Sequence, residues 1–527
     1  MSPSPSAEVA TAATTPVALS ARRQWLALAV LVLPVLVIAI DNTVLGFAVP
    51  HLSRDLAPTS TQLLWIVDVY GFMIAGLLVT MGTLGDRIGR RRLLLGGATA
   101  FGAASALAAF STSTATLIGA RALLGVAGAT LMPSTLSLIR NIIDDPERRR
   151  LAIGIWAACF SVGSALGPIL GGWLLERYWW GSVFLVNLPV MALLLLFGRR
   201  LLPESRDPSP GRFDLLSSAL SLAAVLPIVY ATKQLAADGP EPFLAVLVVV
   251  GLAFGLIFLR RQRRLASPMV DVTLFRHRTF SVAIGTNLVI SAAFVGSLFF
   301  VAQYLQSVLR LAPFAAGLHL LPGMTAAMCS SVGVVALARR GLRIGTLLAA
   351  SLVVAAAGFL TMIGLGPDHG DVQMTIAIVV LGLGAGAAGS LGTNLVMAAV
   401  PARRAGAGSA VSETAFELGA ALGTTVLGST LTAVYRRRLD LPDSLAESVR
   451  RGVRETIGGA PEAVAGLPSD VVSAVLDAAR SAFTDGVHAA AAVGALVLII
   501  AAVMVTILLR GLEVTHATGD DDGSLTA

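Results

Sequence analysis

The sequence predicts an all-α membrane protein with fourteen transmembrane helices, and two observations lead to this prediction. Hydrophobic residues make up 55% of the 527 positions and charged residues only 13%, whereas soluble domains carry about 25% charged residues. Fourteen apolar runs are also present, each near the length of about 20 residues that a helix needs to cross a bilayer. The runs cover roughly 24–50, 62–81, 93–110, 115–138, 151–175, 181–198, 214–232, 242–260, 280–303, 314–338, 345–365, 373–397, 409–434 and 486–509.

The basic residues between the runs predict the orientation of the helices. The net charge of +7 is concentrated in alternate loops, which indicates membrane topology rather than nucleic-acid binding. With the N-terminus inside, the short outer loops hold only Arg54, Arg177, Lys233 and Arg310. Because basic residues favour cytoplasmic loops, we expect a multi-pass protein of a bacterial inner membrane with both termini in the cytoplasm.

This topology divides the chain into five parts. They are a cytoplasmic tail at 1–23, a six-helix bundle at 24–200, two additional helices at 201–279, a second six-helix bundle at 280–510 and a cytoplasmic tail at 511–527. The second bundle contains a long outer loop at 435–485. Apolar residues recur every four positions in 445–457 and 472–483, which predicts two short amphipathic helices on the outer surface. A partly disordered loop is the alternative.

A charged, glycine-rich segment at 82–94 (GTLGDRIGRRRLL) lies between the second and third runs. Its glycines allow a tight turn and a close approach of helices. A solvated basic turn would explain the arginines but not the glycines or Asp86. The segment resembles the signature loop between helices 2 and 3 of the major facilitator superfamily. This resemblance implies two six-helix halves around a central cavity, and a role in conformational gating for Gly82, Asp86, Arg87, Gly89 and Arg90.

The segment 163–172 (GSALGPILGG) in the fifth run is a second candidate gating element. Its proline removes a helix hydrogen bond, and its glycines allow close helix contact. It is similar to the helix 5 motif that is typical of antiporters, which implies export in exchange for another ion. The alternative is a general small-residue packing face. The residues concerned are Gly163, Gly167, Pro168, Gly171 and Gly172.

Asp41 and Arg121 are charged residues inside the first and fourth runs. A carboxylate at the centre of a transmembrane helix costs about 2.5–3.5 kcal/mol, so we expect a functional use for Asp41. Both residues resemble motif positions of drug/proton antiporters, which implies that they take part in proton coupling. Arg121 does not lose its proton in practice, so its expected role is to keep a neighbouring acid ionised. The alternative for Asp41 is a structural acid paired within the bundle.

Asp68 is a second acid within an apolar run, and Trp65 and Tyr70 flank it. Aromatic faces beside a carboxylate suit a lipophilic cation. We therefore expect Asp41, Asp68, Trp65 and Tyr70 to bind substrate. Alternatively, Asp68 lies near the interface, where tryptophan and tyrosine are ordinary membrane anchors.

Glu413 and Glu417 lie four residues apart in the thirteenth run, on one face of a helix. Two negative charges at this spacing repel each other, so we expect the pair to hold a proton. The resemblance implies a proton or cation site here, with Glu413 also contacting substrate. Alternatively, both lie near the cytoplasmic end and are solvated.

Taken together, the motifs resemble the fourteen-span drug/proton antiporters. The resemblance implies a transporter, not an enzyme, that exports quaternary ammonium compounds, dyes, antiseptics and antibiotics and confers multidrug resistance. The expected partners are drugs, protons and lipid, with no nucleic acid, and the chain is expected to act as a monomer. No cofactor or metal is expected, because the proton gradient supplies the energy. The rival hypotheses are an exporter of an endogenous metabolite and a sensor or scaffold built on a former transporter.

Overall fold

A computed structural model of the chain describes residues 20–143, 145–206, 214–265, 268, 272–365, 370–400, 405–442 and 444–510. Within these residues the chain forms seventeen α-helices, which confirms the predicted all-α class. Their bounds are α1 Ala21–Leu56, α2 Ser60–Ile88, α3 Arg90–Ala109, α4 Thr114–Ile142, α5 Pro146–Arg177, α6 Ser182–Leu185, α7 Asn187–Leu201, α8 Leu215–Asp238, α9 Pro242–Arg264, α10 Arg278–Gln303, α11 Pro313–Arg339, α12 Ile344–Ile363, α13 Gly370–Ala399, α14 Ala405–Arg438, α15 Glu447–Glu455, α16 Ala460–Ala463 and α17 Ser469–Leu508.

Among the described residues, thirteen helical segments are long and apolar enough to cross a membrane, against the fourteen predicted. The short helix α6 and helix α7 form one of these segments, Ser182–Leu201. The predicted run 151–175 corresponds to α5, which is not among the thirteen. With 32 residues, α5 is nevertheless longer than a span requires, and it packs against α1 and α11. The predicted count is therefore matched only approximately.

The helices form two bundles that meet along a shared interface. In the N-terminal bundle, α1 packs against α5 and α7, and α4 packs against α2 and α3. In the C-terminal bundle, α10 packs against α14, α13 packs against α11 and α12, and α17 packs against α12 and α14. Three pairs of helices, α1 with α10, α2 with α14 and α5 with α11, join the two bundles.

The additional helices α8 and α9 pack against each other, and α8 also contacts α2 and α14. Helix α8 therefore contacts both bundles. Asp214 lies just before α8 and ties the two helices together, because its carboxylate pairs with Arg261 of α9 at 2.9 Å and accepts a hydrogen bond from Ser217. Partial burial opposes ionisation of Asp214, but the hydrogen bonds from Ser217 and Arg261 still hold its pKa below the ordinary value.

Lys233 corrects the predicted boundary of the seventh span. The sequence analysis placed this lysine in an outer loop, but α8 continues to Asp238 and Lys233 is only 1% exposed. A lone charge at the end of an apolar run resembles the first residue of a loop. The lysine is instead tolerated inside the protein because an acid neutralises it, as described below.

The segment between α14 and α17 covers one end of the molecule, which we call the cap end. Glu455 accepts a hydrogen bond from the backbone N–H of Ser60 and pairs with Arg436 at 2.7 Å. Helix α15 matches the first predicted amphipathic helix. The second prediction, a separate short helix at 472–483, is wrong, because these residues form the first part of the 40-residue helix α17. Residues 484–489 contain no proline to end that helix.

Candidate functional site

A cavity of about 610 Å³ lies between the two bundles. This volume is within the range of about 300–1,000 Å³ that is usual for small-molecule sites. Four helices from each bundle line it, namely α1, α2, α4, α5, α10, α11, α13 and α14. The lining includes many aromatic and methionine side chains: Phe47, Tyr70, Met132, Trp156, Phe160, Phe294, Phe299, Met324, Met328 and Phe416. Among the described residues, the charged ones in the lining are Asp68, Arg121, Glu413 and Glu417.

Asp41 and Arg121 form an ion pair inside the N-terminal bundle. The distance from Arg121 Nη1 to Asp41 Oδ2 is 2.5 Å, and the side chains are only 2% and 1% exposed. Arg121 also donates to the Ile66 carbonyl and lies over the Tyr70 ring, with its Cζ 4.4 Å from the ring centroid. Arg121 and Tyr70 line the cavity, whereas Asp41 lies behind Arg121 and is not part of the lining.

Asn187 is a further partner of Asp41 that the sequence analysis did not single out. Its amide nitrogen lies 3.4 Å from Asp41 Oδ1 and 3.0 Å from Ser105 Oγ. The side chain is 1% exposed at the start of α7. Asn187 lies in the apolar segment VFLVNLP at 183–189, and an amide within an apolar segment was the available signal. Asp41 therefore has partners from two other helices, α4 and α7.

Asp68 lines the cavity and is also paired within the chain. Its Oδ2 lies 3.0 Å from Lys233 Nζ and accepts a 2.7 Å hydrogen bond from Thr425 Oγ1. Trp65, predicted to bind substrate, does not line the cavity. Its ring instead lies over Lys233, with Nζ 4.3 Å from the centroid. The aromatic and acidic site predicted for a cationic substrate therefore holds the chain's own lysine, while Tyr70 is part of the cavity lining.

Glu413 and Glu417 line the cavity one helical turn apart on α14. Within the part of the chain that the structure describes, neither glutamate has an ion-pair partner, in contrast to Asp41 and Asp68. Helix α10 holds this turn of α14 in place, since Ser291 donates to the Phe416 carbonyl and Asn287 donates to Ser412 Oγ. The alternative that both glutamates are merely solvated does not fit Glu417, which is 8% exposed.

The glycines predicted in α5 lie at close contacts between helices. A Cβ built on Gly163 would lie 2.7 Å from the Leu36 carbonyl oxygen, and one on Gly171 would lie 2.7 Å from a Val44 methyl group. Gly167 faces Thr43 in the same way. These three residues face α1, whereas Gly172 faces the start of α11 in the other bundle.

Pro168 extends this contact between the bundles, because a Cβ on Gly317 of α11 would lie 2.5 Å from the Pro168 carbonyl oxygen. Glu176 adds a hydrogen bond from the backbone N–H of Phe314. The motif therefore packs α5 tightly on α1 and sets it against α11.

The 82–94 segment forms the junction between α2 and α3. Gly89 has φ +110°, a conformation that side-chain-bearing residues rarely adopt. Asp86 pairs with Arg90 at 2.8 Å, Gly82 faces Pro133, and Arg87 is exposed. A gating role for Asp86 would bring it to residues 404–412, and Arg404 lies outside the described residues.

Glu204 is the acid at this junction that the sequence analysis missed. Its Oε1 accepts from the backbone N–H of Arg91 at 3.1 Å, and its Oε2 lies 3.7 Å from the side chains of Arg91 and Arg92. A carboxylate at the start of α3 also complements the helix dipole. Glu204 has no recognisable motif around it, and its partners are more than a hundred positions earlier in the chain.

Comparison with known proteins gives consistent matches over most of the chain. The family model described as the Major Facilitator Superfamily matches residues 31–424. The multidrug efflux pump LfrA of Mycolicibacterium smegmatis is 49% identical over 488 residues, covering 93% of this chain and 97% of that protein. The methyl viologen resistance protein SmvA of Salmonella typhimurium is 36% identical over 472 residues, covering 88% and 93%.

The chain is also similar to a further curated protein and to a solved structure. The tetracenomycin C resistance and export protein of Streptomyces glaucescens is 31% identical over 498 residues, covering 91% of each chain. Among solved structures, a bacterial homologue of the lysosomal transporter Spinster superposes with a TM-score of 0.67. That match has 17% identity and covers 93% of this chain and 98% of the other, so it supports the fold alone.

Proposed function

The chain belongs to the Major Facilitator Superfamily, and from this premise we propose that it exports lipophilic, mostly cationic drugs across the bacterial plasma membrane in exchange for protons. Its similarity to a multidrug efflux pump and to a methyl viologen resistance protein supports drug export. The aromatic and methionine lining of the cavity suits flat, apolar cations.

One observation carries the proposal of proton exchange: Glu413 and Glu417 line the cavity without an ion-pair partner among the described residues. Two carboxylates one turn apart repel each other when both are ionised, so a proton on one of them relieves the repulsion. An entering cation relieves the same repulsion. Proton and cation therefore compete for one pair of acids, which is the chemistry that exchange requires.

The proposed cycle starts with the cavity open to the outside, where the glutamate pair binds a proton. The two bundles rock along the α5–α11 contact, and the cavity then opens to the cytoplasm. There a cationic drug enters and displaces the proton. Among the described residues, Arg121 is the only cation in the cavity lining, and the Asp41 carboxylate pairs with it. In this proposal the Asp41–Arg121 pair compensates its own charges and does not carry the exchanged proton.

The orientation and assembly are further parts of the proposal. The arginines at 90–92 and 261–264 lie at the end opposite the cap, and arginine-rich loops favour the cytoplasm. We therefore place that end and both termini in the cytoplasm, with the chain acting as a monomer. The junction at 82–94 would act as a latch, with Asp86 meeting the start of α14 when the cavity opens outward.

The test is ethidium efflux from bacterial cells that lack their own exporters and express the chain, with and without a protonophore. We expect efflux that stops when the protonophore collapses the gradient. As a control, Glu462→Gln should show the same efflux as wild type, because Glu462 is exposed in the cap and does not line the cavity. Efflux that continues after the protonophore would contradict proton coupling, and absence of efflux of any lipophilic cation would contradict drug export.

A second candidate function is export of an antibiotic or other metabolite made by the host, because a relative at 31% identity is a tetracenomycin C resistance and export protein. The two functions differ in the charge of the cargo. A dedicated exporter of a neutral or acidic metabolite predicts no competition between ethidium and protons at Glu413 and Glu417. Measured competition would favour the first function.

A further inference from the structure

Lys233 is the only lysine among the 38 lysine and arginine residues of the chain. It lies on α8, one of the two additional helices, and its side chain is fully buried. Its Nζ contacts Asp68 Oδ2 at 3.0 Å and lies 4.3 Å from the centroid of the Trp65 ring. An ammonium group between a carboxylate and an aromatic face is the arrangement by which proteins bind organic cations.

Asp68 connects this buried lysine to the cavity. Neither α8 nor α9 contributes to the lining, but Asp68 does. Its Oδ2 is occupied by Lys233 and Thr425. Its Oδ1 is buried and has no hydrogen-bond partner among the described residues. One carboxylate therefore meets the chain's own cation on one side and leaves an unsatisfied acceptor on the other.

We propose that Lys233 determines substrate specificity by acting as a tethered cation that occupies Asp68. This inference rests on the proposed export function and goes beyond it by naming the charge of the preferred cargo. With Lys233 in place, Glu413 and Glu417 are the acids left for the cargo, and the site favours cations with a single positive charge. A cargo with two separated positive charges must displace Lys233 from Asp68.

The electrostatics decide the direction of this effect. Removal of the ammonium group adds one negative charge beside the cavity. Asp68 lines the cavity, and at an effective dielectric constant of about 20 a unit charge within a few ångströms of a bound cation contributes enough energy to change the affinity about tenfold or more. The gain should be larger for a dication, because its second charge can replace the ammonium group at Asp68.

The use of lysine rather than arginine agrees with this role. The chain uses arginine at its 37 other basic positions. An ammonium group is compact, whereas guanidinium is a wide planar fork. The space between the Trp65 ring and Asp68 holds a single point charge. A compact charge is also the easier one for a cargo ammonium to replace.

The experiment compares ethidium and propidium, which share one ring system but carry one and two permanent positive charges. Their binding to the purified full chain in detergent is measured by fluorescence for wild type, Lys233→Met and Lys233→Arg. We expect Lys233→Met to increase the affinity for propidium about tenfold relative to ethidium. The double variant Asp68→Asn/Lys233→Met, which removes both charges, should return the ratio to the wild-type value.

Lys233→Arg is the matched control for charge: it keeps the positive charge at Asp68 in a form that a cargo displaces less easily, so it should not raise the propidium-to-ethidium affinity ratio above the wild-type value. An unchanged propidium-to-ethidium ratio in Lys233→Met would overturn the proposal while leaving export intact, provided that wild type binds ethidium. If wild type binds neither dye, the function proposed above fails first.

A second measurement needs no substitution, in case Lys233→Met does not fold. Because the chain has a single lysine, reductive methylation followed by mass spectrometry reports on Lys233 alone, with the N-terminal amine as an internal reference. We expect slow methylation without ligand and faster methylation with saturating propidium, with a smaller effect of ethidium. A rate that saturating propidium does not change would overturn the proposal.

Discussion

The acids of the two bundles differ in how their charge is compensated. In the N-terminal bundle, Asp41 pairs with Arg121 at 2.5 Å, and Asp68 pairs with Lys233 at 3.0 Å. In the C-terminal bundle, Glu413 and Glu417 line the same cavity and have no such cation among the described residues. Burial of an acid in a membrane protein therefore does not identify its role. An acid paired within the chain already has its charge compensated, whereas Glu413 and Glu417 are left, in our proposal, for a proton or a cargo cation.

The largest effect is expected from removing the unpaired acids. Glu413→Gln/Glu417→Gln should lower pH-gradient-driven ethidium efflux about 100-fold, which corresponds to a rise of about 2.7 kcal/mol in the activation free energy. The folded state should be as stable as in wild type or slightly more stable, because the variant removes buried charges that have no partner. Efflux from reconstituted vesicles and thermal unfolding of the same preparation measure both effects. Efflux within a factor of a few of wild type would remove the glutamates from the exchange step.

The paired acids should respond in the opposite way. Asp41→Asn leaves Arg121 buried and uncompensated, and breaking a buried ion pair in this way typically costs about 3–5 kcal/mol. We expect a marked fall in the unfolding temperature and in the amount of folded protein. Asp41→Asn/Arg121→Met should recover most of that stability.

The double variant separates the structural role of this pair from proton coupling. If Asp41 carried the exchanged proton directly, Asp41→Asn would abolish exchange in protein that is as stable as wild type. That result would contradict the assignment of proton exchange to Glu413 and Glu417 rather than to Asp41.

A smaller effect is expected far from the cavity, at the junction between α2 and α3. Gly89→Ala places a Cβ at φ +110° and 2.5 Å from Glu204 Oε1, which should destabilise the fold by about 1–3 kcal/mol. The affinity for ethidium should stay within about twofold of wild type. This variant tests whether lost stability by itself explains lost binding. A large loss of ethidium affinity in Gly89→Ala would show that lost stability alone can abolish binding. The first two predictions would then not distinguish the roles of the acids in the two bundles.

The sequence predicted those parts of the site that depend on one charge within an apolar run. Asp41, Arg121, Glu413 and Glu417 each interrupt such a run, and the cost of burying a charge makes them visible without a structure. The α5 glycines were visible for a similar reason, because four small residues beside a proline allow few arrangements. The all-α class followed from the length of the runs.

The partners of these residues could not be predicted in the same way. Asn187 lies 146 positions from Asp41, and Glu204 lies 113 positions from Arg91, so no local pattern connects them. Lys233 was misplaced because one charge near the end of an apolar run resembles a loop residue. Trp65 was expected in the cavity because it neighbours Asp68, but its ring contacts Lys233 instead. The sequence therefore identifies buried charges, and the fold decides which of them are compensated.

The most direct test is to count protons released when purified protein binds ethidium in weakly buffered solution near neutral pH. Competition at the glutamate pair predicts release of about one proton per bound ethidium in the wild type. It predicts none in Glu413→Gln/Glu417→Gln, although the Asp41–Arg121 pair is intact in that variant. Ethidium binding without proton release in the wild type, or undiminished release in the double variant, would contradict proton exchange at the unpaired acids.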